Sequence, residues 1–196
     1  MDLTQISDQD VVARARNGSE KAYRELIRRY ERPVFSLIYR LVRDREKAED
    51  LAQDTFIKVL NAIDRYKPEF KFSSWIFKIA HNTALDDLRK KELRTLSLDG
   101  SPHATSDAEA ALHVPVVASD EPSPADFVEQ RELGGQIEAA IGTLRQEYRT
   151  AILLRHMEGR EYAEIADIMG VPLGTVKTYI HRARLELREA LEHLRC

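Results

Sequence analysis

Apolar residues recur every three or four positions along most of the chain, a spacing typical of amphipathic α-helices. The longest run of this kind comprises Tyr23, Leu26, Ile27, Tyr30, Val34, Leu37, Ile38 and Leu41. Pro33 falls inside this run and is expected to kink or break the helix. The two-residue alternation of a half-buried strand is absent from the sequence, so the predicted fold class is all-α.

Further helices are predicted on either side of this run. Ser7 begins a short first helix that Gly18 closes. A loop over 64–72 precedes another helix, which Ser73 or Ser74 is expected to cap. Between the long run and this loop lies a helix with the apolar stripe Ala48, Leu51, Ala52, Phe56, Val59 and Leu60.

Residues 96–130 differ in composition from both flanks. They hold four of the seven prolines and no Lys or Arg, and their pattern shows no helical period. Removing their seven negative charges turns the net charge of the chain from −3 to +4, so the remainder is mildly basic. We therefore predict an acidic linker at 96–130 between helical domains at 1–95 and 131–196. The acidic residues are Asp99, Asp107, Glu109, Asp120, Glu121, Asp126 and Glu129.

The segment EYAEIADIMGVPLGTVKTYIHRARLELREAL predicts a helix-turn-helix near the C-terminus. Gly170 permits the left-handed backbone of a tight turn, and Pro172 stands where the second helix begins. At about 100° per residue, the second helix has a core face made of Val176, Ile180, Ala183 and Leu187.

The opposite face of this second helix is polar. It carries Thr178, His181, Arg182 and Leu185, with Lys177 and Arg184 on its flanks. Such a face is suited to the major groove of duplex DNA. Free amides near Gly174 and Thr175 would favour a phosphate. The alternative is an ordinary solvated helix face, which the turn sequence makes less attractive.

A second basic surface is predicted on the helix that follows the loop over 64–72. Trp75, Lys78, Asn82 and Arg89 fall in one sector of that helix, and the loop adds further aromatic and basic side chains, among them Phe70 and Lys71. Aromatic rings beside cations are suited to stacking on unpaired bases. The alternative is that Trp75 and the neighbouring Phe residues belong to the core.

The predicted helix with the stripe from Ala48 to Leu60 has the opposite chemistry. Its acidic and amide side chains lie beside Leu51 and Phe56 and would repel DNA, which favours a basic or mixed protein partner. A plain charged surface is the alternative. These polar residues are Glu46, Glu49, Asp50, Gln53 and Asp54.

Several classes of protein are disfavoured. The single cysteine, Cys196, allows no disulfide or cysteine-based zinc site within the chain, as expected in the cytosol. We expect no secretory signal and no membrane span. We also expect no catalytic residues, metal or cofactor, because Asp86 and Asp87 diverge on one helix beside His81 and no phosphate loop is present. A nuclease is therefore disfavoured, whereas a helix-turn-helix regulator independent of polymerase remains an alternative.

The order of the motifs resembles the extracytoplasmic-function (ECF) sigma factors of bacterial RNA polymerase. The resemblance lies in AEDLAQDTFIKV, FKFSSWIFKIAHNTALDDLRKK and the helix-turn-helix segment, and it covers nearly the whole chain except the linker. It implies two helical domains, the second and fourth sigma domains. It also implies a factor that directs core polymerase to promoters and nucleates melting, without being an enzyme itself.

The resemblance further assigns roles and partners. It implies core polymerase as a partner, through the clamp helices of the largest subunit and the flap region. The resemblance also implies two further partners: promoter DNA, both double- and single-stranded, and an anti-sigma factor that could hold the protein at the membrane. It implies no small-molecule substrate. The linker would thread towards the polymerase active-site cleft and RNA exit channel. The residues implied to bind polymerase are Asp50, Leu51, Gln53, Asp54 and Phe56. Those implied to bind the −10 element are Phe70, Lys71, Trp75, Lys78, Asn82 and Arg89. Those implied to bind the −35 element are Thr175, Lys177, Thr178, His181, Arg182 and Arg184. In this class the position of His181 varies, so the base it reads is open.

Overall fold

The chain folds into helices that form two packed domains. The computed structural model describes residues 3–98 and 124–192, with side chains over 3–93 and 132–192. Within these residues there are eight α-helices and no strand, which confirms the all-α prediction. The helices are α1 (Asp8–Arg16), α2 (Glu20–Val42), α3 (Arg45–Ala62), α4 (Phe72–Leu98), α5 (Pro124–Thr143), α6 (Gln146–His156), α7 (Tyr162–Met169) and α8 (Leu173–Ala190), with short 3₁₀ helices at Leu3–Gln5 and Ile63–Arg65.

Side-chain caps fix where the first three helices begin. The Ser7 hydroxyl accepts a hydrogen bond from the Asp10 amide at 3.2 Å, and Gly18 has φ 81° just after α1, as the sequence predicts. Asp44 caps α3 by accepting from the Lys47 amide at 3.0 Å. Each cap satisfies an amide that the helix itself leaves without a partner.

Pro33 does not break α2, which runs from Glu20 to Val42 through the proline. The prediction of a break at this position was therefore wrong. A proline inside a helix costs about 3 kcal/mol, but burial on both sides of it offsets that cost. Tyr30 and Val34, which flank Pro33, are buried with the rest of the apolar stripe.

Two predicted boundaries also need correction. Helix α4 begins at Phe72, so Ser73 and Ser74 lie in its first turn and do not cap it. The predicted linker at 96–130 loses both ends to helices, because α4 extends to Leu98 and α5 begins at Pro124. A proline is well tolerated in the first helical turn, where its missing N–H removes no hydrogen bond. The remainder of the linker, like Cys196, lies outside the described residues.

The C-terminal domain contains the predicted helix-turn-helix. Gly170 ends α7 with φ 67°, and Pro172 precedes α8 in an extended conformation. Glu161 and Glu164 form a reciprocal capping box at the start of α7. Ile165 of α7 is fully buried, and its helix packs on α8 in a small core that includes Ile168, Val176, Ile180 and Ala183. In α5, by contrast, Ile137 is 38% exposed.

The two domains lie in contact with each other. Helix α7 packs against α4, and α6 packs against α2. The buried guanidinium of Arg40 in α2 forms an ion pair with Glu138 of α5 at 2.7 Å. The arrangement brings the helix-turn-helix next to the start of α4.

Candidate nucleic-acid interface

The outer face of α8 is solvent-exposed, and its inner face is buried, as predicted. Val176 and Ile180 are at most 1% exposed, whereas Thr178, His181, Arg182, Lys177, Arg184 and Leu185 are all exposed. The helix therefore presents hydroxyl, imidazole and cationic groups to one side while its packing on α6 and α7 holds it in place.

The first turn of α8 differs from the prediction in one respect. The Thr175 amide donates to the Pro172 carbonyl at 2.9 Å, so it is not free to bind a phosphate. Thr175 itself is half-buried, and the Thr178 hydroxyl donates to the Gly174 carbonyl at 3.0 Å. The side chains beyond the first turn are therefore better placed to contact a ligand.

The cations of α8 form no ion pairs with carboxylates of the described residues. Arg184 instead lies 3.3 Å from the Nε2 atom of His156, at the end of α6. Burial lowers the pKa of His156, and the Arg184 and Arg155 guanidiniums lower it further. The imidazole is therefore neutral at pH 7 and accepts from Arg184. The result is an unneutralised basic surface around α8, which suits a polyanion.

An aromatic cluster supports the start of α4. Phe72 is 1% exposed and packs with ring-centroid distances of 5.5 Å to Tyr30, 5.4 Å to Tyr66 and 5.6 Å to Trp75. Trp75 is half-buried and also contacts Tyr66 at 5.4 Å. The alternative that places these aromatic residues in the core therefore holds in part. Phe72 belongs to the core, whereas Trp75 lies at the edge of the cluster with part of its ring accessible.

The loop before α4 is held in a defined shape. Tyr66 donates to the Phe70 carbonyl at 2.6 Å, and Gln9 of α1 donates to the Pro68 carbonyl at 2.9 Å. Phe70 is 57% exposed. A large exposed ring on an ordered loop can receive a base without first being ordered.

The polar residues predicted on α4 follow one exposed stripe. Lys78, Asn82 and Arg89 are all exposed, and Arg89 lies 3.9 Å from Asp86. Lys71, just before the helix, forms an ion pair with Glu164 of α7 at 3.1 Å. The structure thus brings the −10 candidates Phe70, Lys71, Trp75, Lys78 and Asn82 to one side of the N-terminal domain, with Arg89 farther along the same helix.

The acidic surface of α3 is exposed, but not all five residues predicted to bind polymerase lie on it. Asp50, Gln53 and Asp54 are exposed, whereas Leu51 is 6% exposed and Phe56 is half-buried, with its carbonyl accepting from Tyr23. Leu51 therefore packs in the core beneath this surface and is not part of it.

Two apolar side chains that the sequence analysis did not place on the exposed face of α3 belong to it. Ile57 is 56% exposed, and Leu60 is 49% exposed although the periodicity placed it in the core. At about 100° per residue, both share an arc of roughly 120° with Asp50, Gln53 and Asp54. That spacing was the signal that could have identified them. The exposed face thus combines apolar side chains with carboxylates.

The two carboxylates that suggested a nuclease have separate partners. Asp87 forms an ion pair with Lys47 at 3.0 Å, Asp86 faces Arg89, and His81 is 5% exposed. Burial lowers the pKa of His81. Among the residues with described side chains, no group of three His, Cys, Asp or Glu converges as metal ligands would.

In the described parts of the chain, no helix combines the length and hydropathy needed to cross a bilayer.

Two family models match the chain, one in each domain. The model for Sigma-70 region 2 matches residues 26–94, and that for Sigma-70 region 4 matches residues 134–187. The first match identifies the N-terminal domain as a Sigma-70 region 2. A helix-turn-helix regulator that acts independently of polymerase would not require such a domain.

Relatives match over nearly the whole length of the chain. RNA polymerase sigma-H factor of Pseudomonas aeruginosa is 33% identical over 192 residues, which cover 98% of this chain and 97% of the relative. ECF RNA polymerase sigma factor SigW of Bacillus subtilis is 34% identical over 189 residues, which cover 93% of this chain and 96% of the relative.

Solved structures show the same fold. The sigma factor RpoE of Bartonella quintana, in complex with the anti-sigma factor NepR, matches with a TM-score of 0.70 and 25% identity over 88% of this chain and 98% of that one. CnrH, in complex with the cytosolic domain of CnrY, matches with a TM-score of 0.67 and 21% identity over 96% of this chain and 99% of that one, a likeness of fold alone. With region 2 in the first domain, region 4 in the second and relatives matched end to end, the chain belongs to the ECF class of RNA polymerase sigma factors.

Proposed function

We propose that this sigma factor divides promoter recognition between two surfaces, with α8 reading the −35 duplex and α4 with its preceding loop holding unpaired bases of the −10 element. One observation carries the proposal: the two domains present exposed surfaces of different chemistry. Helix α8 offers hydrogen-bonding and cationic side chains, as base edges in a groove require. The start of α4 offers aromatic rings beside cations, as unstacked bases require.

The −35 reading rests on the shape and support of α8. A major groove about 12 Å wide admits one α-helix. The buried face of α8 packs on α6 and α7, so the exposed side chains can enter the groove without the helix leaving its domain. His181 and Arg182 lie at the centre of that exposed face, and we assign them to base edges. Lys177 and Arg184, at its margins, are assigned to phosphates.

The −10 reading rests on the ordered aromatic cluster. Trp75 is held against Phe72 and Tyr66 before any DNA arrives, so little entropy is lost when a base stacks on it. Removing a base from the duplex costs a few kcal/mol, and stacking returns about 1–3 kcal/mol per base. Promoter melting would thus be driven by binding energy, and the chain itself would catalyse no covalent step.

Replacing Trp75 with alanine should impair promoter opening while sparing polymerase binding. The stacking platform would be lost, at a cost of about 1–3 kcal/mol per base, whereas α3 would be unchanged. Permanganate reactivity of −10 thymines in the holoenzyme–promoter complex measures opening. Trp75→Phe should retain most of the reactivity. Normal reactivity in Trp75→Ala would contradict the assignment.

The exposed face of α3 is proposed to bind core polymerase, at the clamp helices of the largest subunit. Interfaces between proteins combine an apolar centre with a polar rim. Ile57 and Leu60 supply exposed apolar side chains, and Asp50, Gln53 and Asp54 supply polar ones on the same face. The carboxylates also keep DNA off this face and favour a partially basic protein surface.

Replacing Ile57 with serine should weaken the complex with core polymerase about tenfold, because roughly 1.4 kcal/mol of apolar burial would be missing from the interface. The matched control is Leu93→Ser, which truncates an apolar residue of similar exposure on α4. Competition for core polymerase against a labelled wild-type chain gives the relative affinities. Equal competition by both variants would exclude Ile57 from the interface.

The proposed function as a whole is tested by transcription. Core polymerase with this chain should start at promoters in a genomic library that core polymerase alone does not use. If the chain co-elutes with core polymerase but confers no new start sites, the proposal that it directs polymerase to promoters is wrong.

We also propose an anti-sigma factor as a regulatory partner and the cytoplasm as the location. The solved complex of Bartonella quintana RpoE with an anti-sigma factor supports the first. The proposed binding of core polymerase and promoter DNA supports the second, since both partners must share a compartment with the chain. Co-purification of the chain from its own cells, with and without an inducing stress, would identify such a partner.

A further inference from the structure

The end of α6 brings a histidine to the edge of the exposed face of α8. His156 is the last residue of α6, and its Nε2 atom lies 3.3 Å from the Nη2 atom of Arg184. Both side chains are exposed to solvent. Because Arg184 is assigned to a phosphate, the imidazole lies one hydrogen bond away from a group proposed to contact the DNA backbone.

In the free protein the imidazole is the acceptor of this hydrogen bond. A guanidinium has only donors, so the Nε2 atom of His156 must offer its lone pair, and the neutral ring then has its proton on Nδ1. Burial lowers the pKa of His156, and the guanidiniums of Arg184 and Arg155 lower it further. Protonation of Nε2 would convert the acceptor into a donor and break the bond from Arg184.

The charges around His156 are positive. Among the helices packed on α6, the charged group that faces the imidazole is Arg184 of α8, and on α6 itself it is Arg155. Arg155 donates to the Arg160 carbonyl at 3.0 Å, and its guanidinium lies 5.2 Å from the centroid of the Tyr162 ring. It therefore contributes charge but is held by its own neighbours. Neither His156 nor Arg184 forms an ion pair with a carboxylate of the described residues.

We propose that His156 and Arg184 form one phosphate site at the edge of α8, in which the imidazole takes up a proton from solvent as the DNA backbone binds. The inference rests on the proposed −35 role of α8 and adds a residue of α6 to it. In the bound state, the Nε2–H group of His156 and the guanidinium of Arg184 both donate to the phosphate. The ligand replaces the hydrogen bond that the two side chains share without it.

The distances allow the phosphate to act on His156. A phosphate oxygen lies about 2.9 Å from a nitrogen that donates to it. If that nitrogen is the Nη2 atom of Arg184, the oxygen is at most roughly 6 Å from Nε2 of His156, which is less than the Debye length of about 8 Å at physiological salt. The charge on the imidazole therefore affects the affinity for DNA.

The direction of the pH dependence follows from the charges. The bound phosphate offsets the Arg184 cation that disfavours the imidazolium, and it accepts a hydrogen bond from the charged form. The carbonyl end of α6 also favours a cation at His156. The pKa of His156 is therefore higher in the complex than in the free chain, so binding takes up protons. The affinity for DNA rises as the pH falls through the interval between these two pKa values.

The test measures binding of a labelled −35 duplex to the full-length chain between about pH 8 and about pH 5.5. His156→Gln can still accept from Arg184 but never becomes charged, whereas His156→Lys is charged throughout. We expect the Lys variant to bind about threefold to fivefold more tightly than the Gln variant at every pH. The wild type should match the Gln variant at the high end of the range and approach the Lys variant at the low end.

The salt dependence gives an independent measurement on the same proteins. The slope of log affinity against log salt should be steeper by about 0.9 for His156→Lys than for His156→Gln, as expected for one more neutralised phosphate. The wild type should change from the smaller slope to the larger one as the pH falls. His181 of α8 also titrates in this range, but it is common to all three proteins. Glu31→Gln, which adds the same unit of positive charge at an exposed position of α2, should bind like the wild type.

Two results would overturn the proposal and leave the −35 role of α8 standing. One is a wild type whose affinity changes with pH in parallel with that of His156→Gln. The other is His156→Lys binding more weakly than His156→Gln, because the neutral acceptor would then be what Arg184 requires. If the wild type binds the −35 duplex of a promoter that it transcribes no better than a scrambled duplex at any pH, the proposed role of α8 fails as well.

Discussion

Replacing Phe72 with alanine is expected to lower the free energy of unfolding of the N-terminal domain by about 3–5 kcal/mol. Phe72 is 1% exposed and forms the centre of the ring cluster with Tyr30, Tyr66 and Trp75. Truncation leaves a cavity between these rings and removes the edge-on packing of the ring against Tyr30 and Tyr66. The expected decrease is a large fraction of the total stability of a small domain, about 5–15 kcal/mol.

The matched control for this prediction is Phe70→Ala. It is the same chemical change two residues away, on a ring that is 57% exposed, so the stability should change by less than about 0.5 kcal/mol. Denaturant unfolding followed by circular dichroism and by fluorescence of Trp75, the one tryptophan of the chain, reports both variants. Equal midpoints for the two variants would contradict the placement of Phe72 in the core. The folded Phe70→Ala protein should instead bind the −10 strand more weakly.

Local signals in the sequence predicted most of the helices and the helix-turn-helix. Ser7, Gly18, Gly170 and Pro172 each act on neighbouring backbone, so their effects follow from residue type and position. The buried and exposed faces of α8 follow from helical periodicity. These features depend on interactions within a few residues, which a sequence displays directly.

Features that depend on distant residues were less predictable. Helix α2 continues through Pro33 because the packing of the stripe on both sides outweighs a local preference. The sequence could not separate the buried Phe72 from the exposed Phe70, since neighbouring helices decide which ring is covered. Leu60 fits an apolar stripe by spacing, yet no helix covers it enough to bury it.

The contact between the domains was the least predictable feature. Ser74 and Glu164 are 90 residues apart in sequence, and Ser73 and Arg160 are 87 apart. Nothing in the local pattern of either segment indicates its partner. The cation that Glu164 holds, Lys71, is one of the residues proposed to bind the −10 element.

Replacing His181 and Arg182 together with alanine is expected to weaken binding of the −35 duplex by about 1–3 kcal/mol for each base edge that the variant no longer reads. Both side chains are exposed on α8, while Val176 and Ile180 hold the helix from its other face. The variant should therefore remain folded. The affinity should fall for the cognate duplex and change much less for a scrambled duplex of the same length.

Lys177→Ala separates base reading from phosphate binding in the same assay. Lys177 is assigned to a phosphate at the margin of α8, so its removal should weaken cognate and scrambled duplexes alike. It should also reduce the slope of log affinity against log salt by about 0.9. Titrations by fluorescence anisotropy at several salt concentrations distinguish the two variants. If the His181 and Arg182 double variant behaves like Lys177→Ala, with the affinity for both duplexes reduced equally, α8 binds only the DNA backbone and the −35 sequence must be read elsewhere.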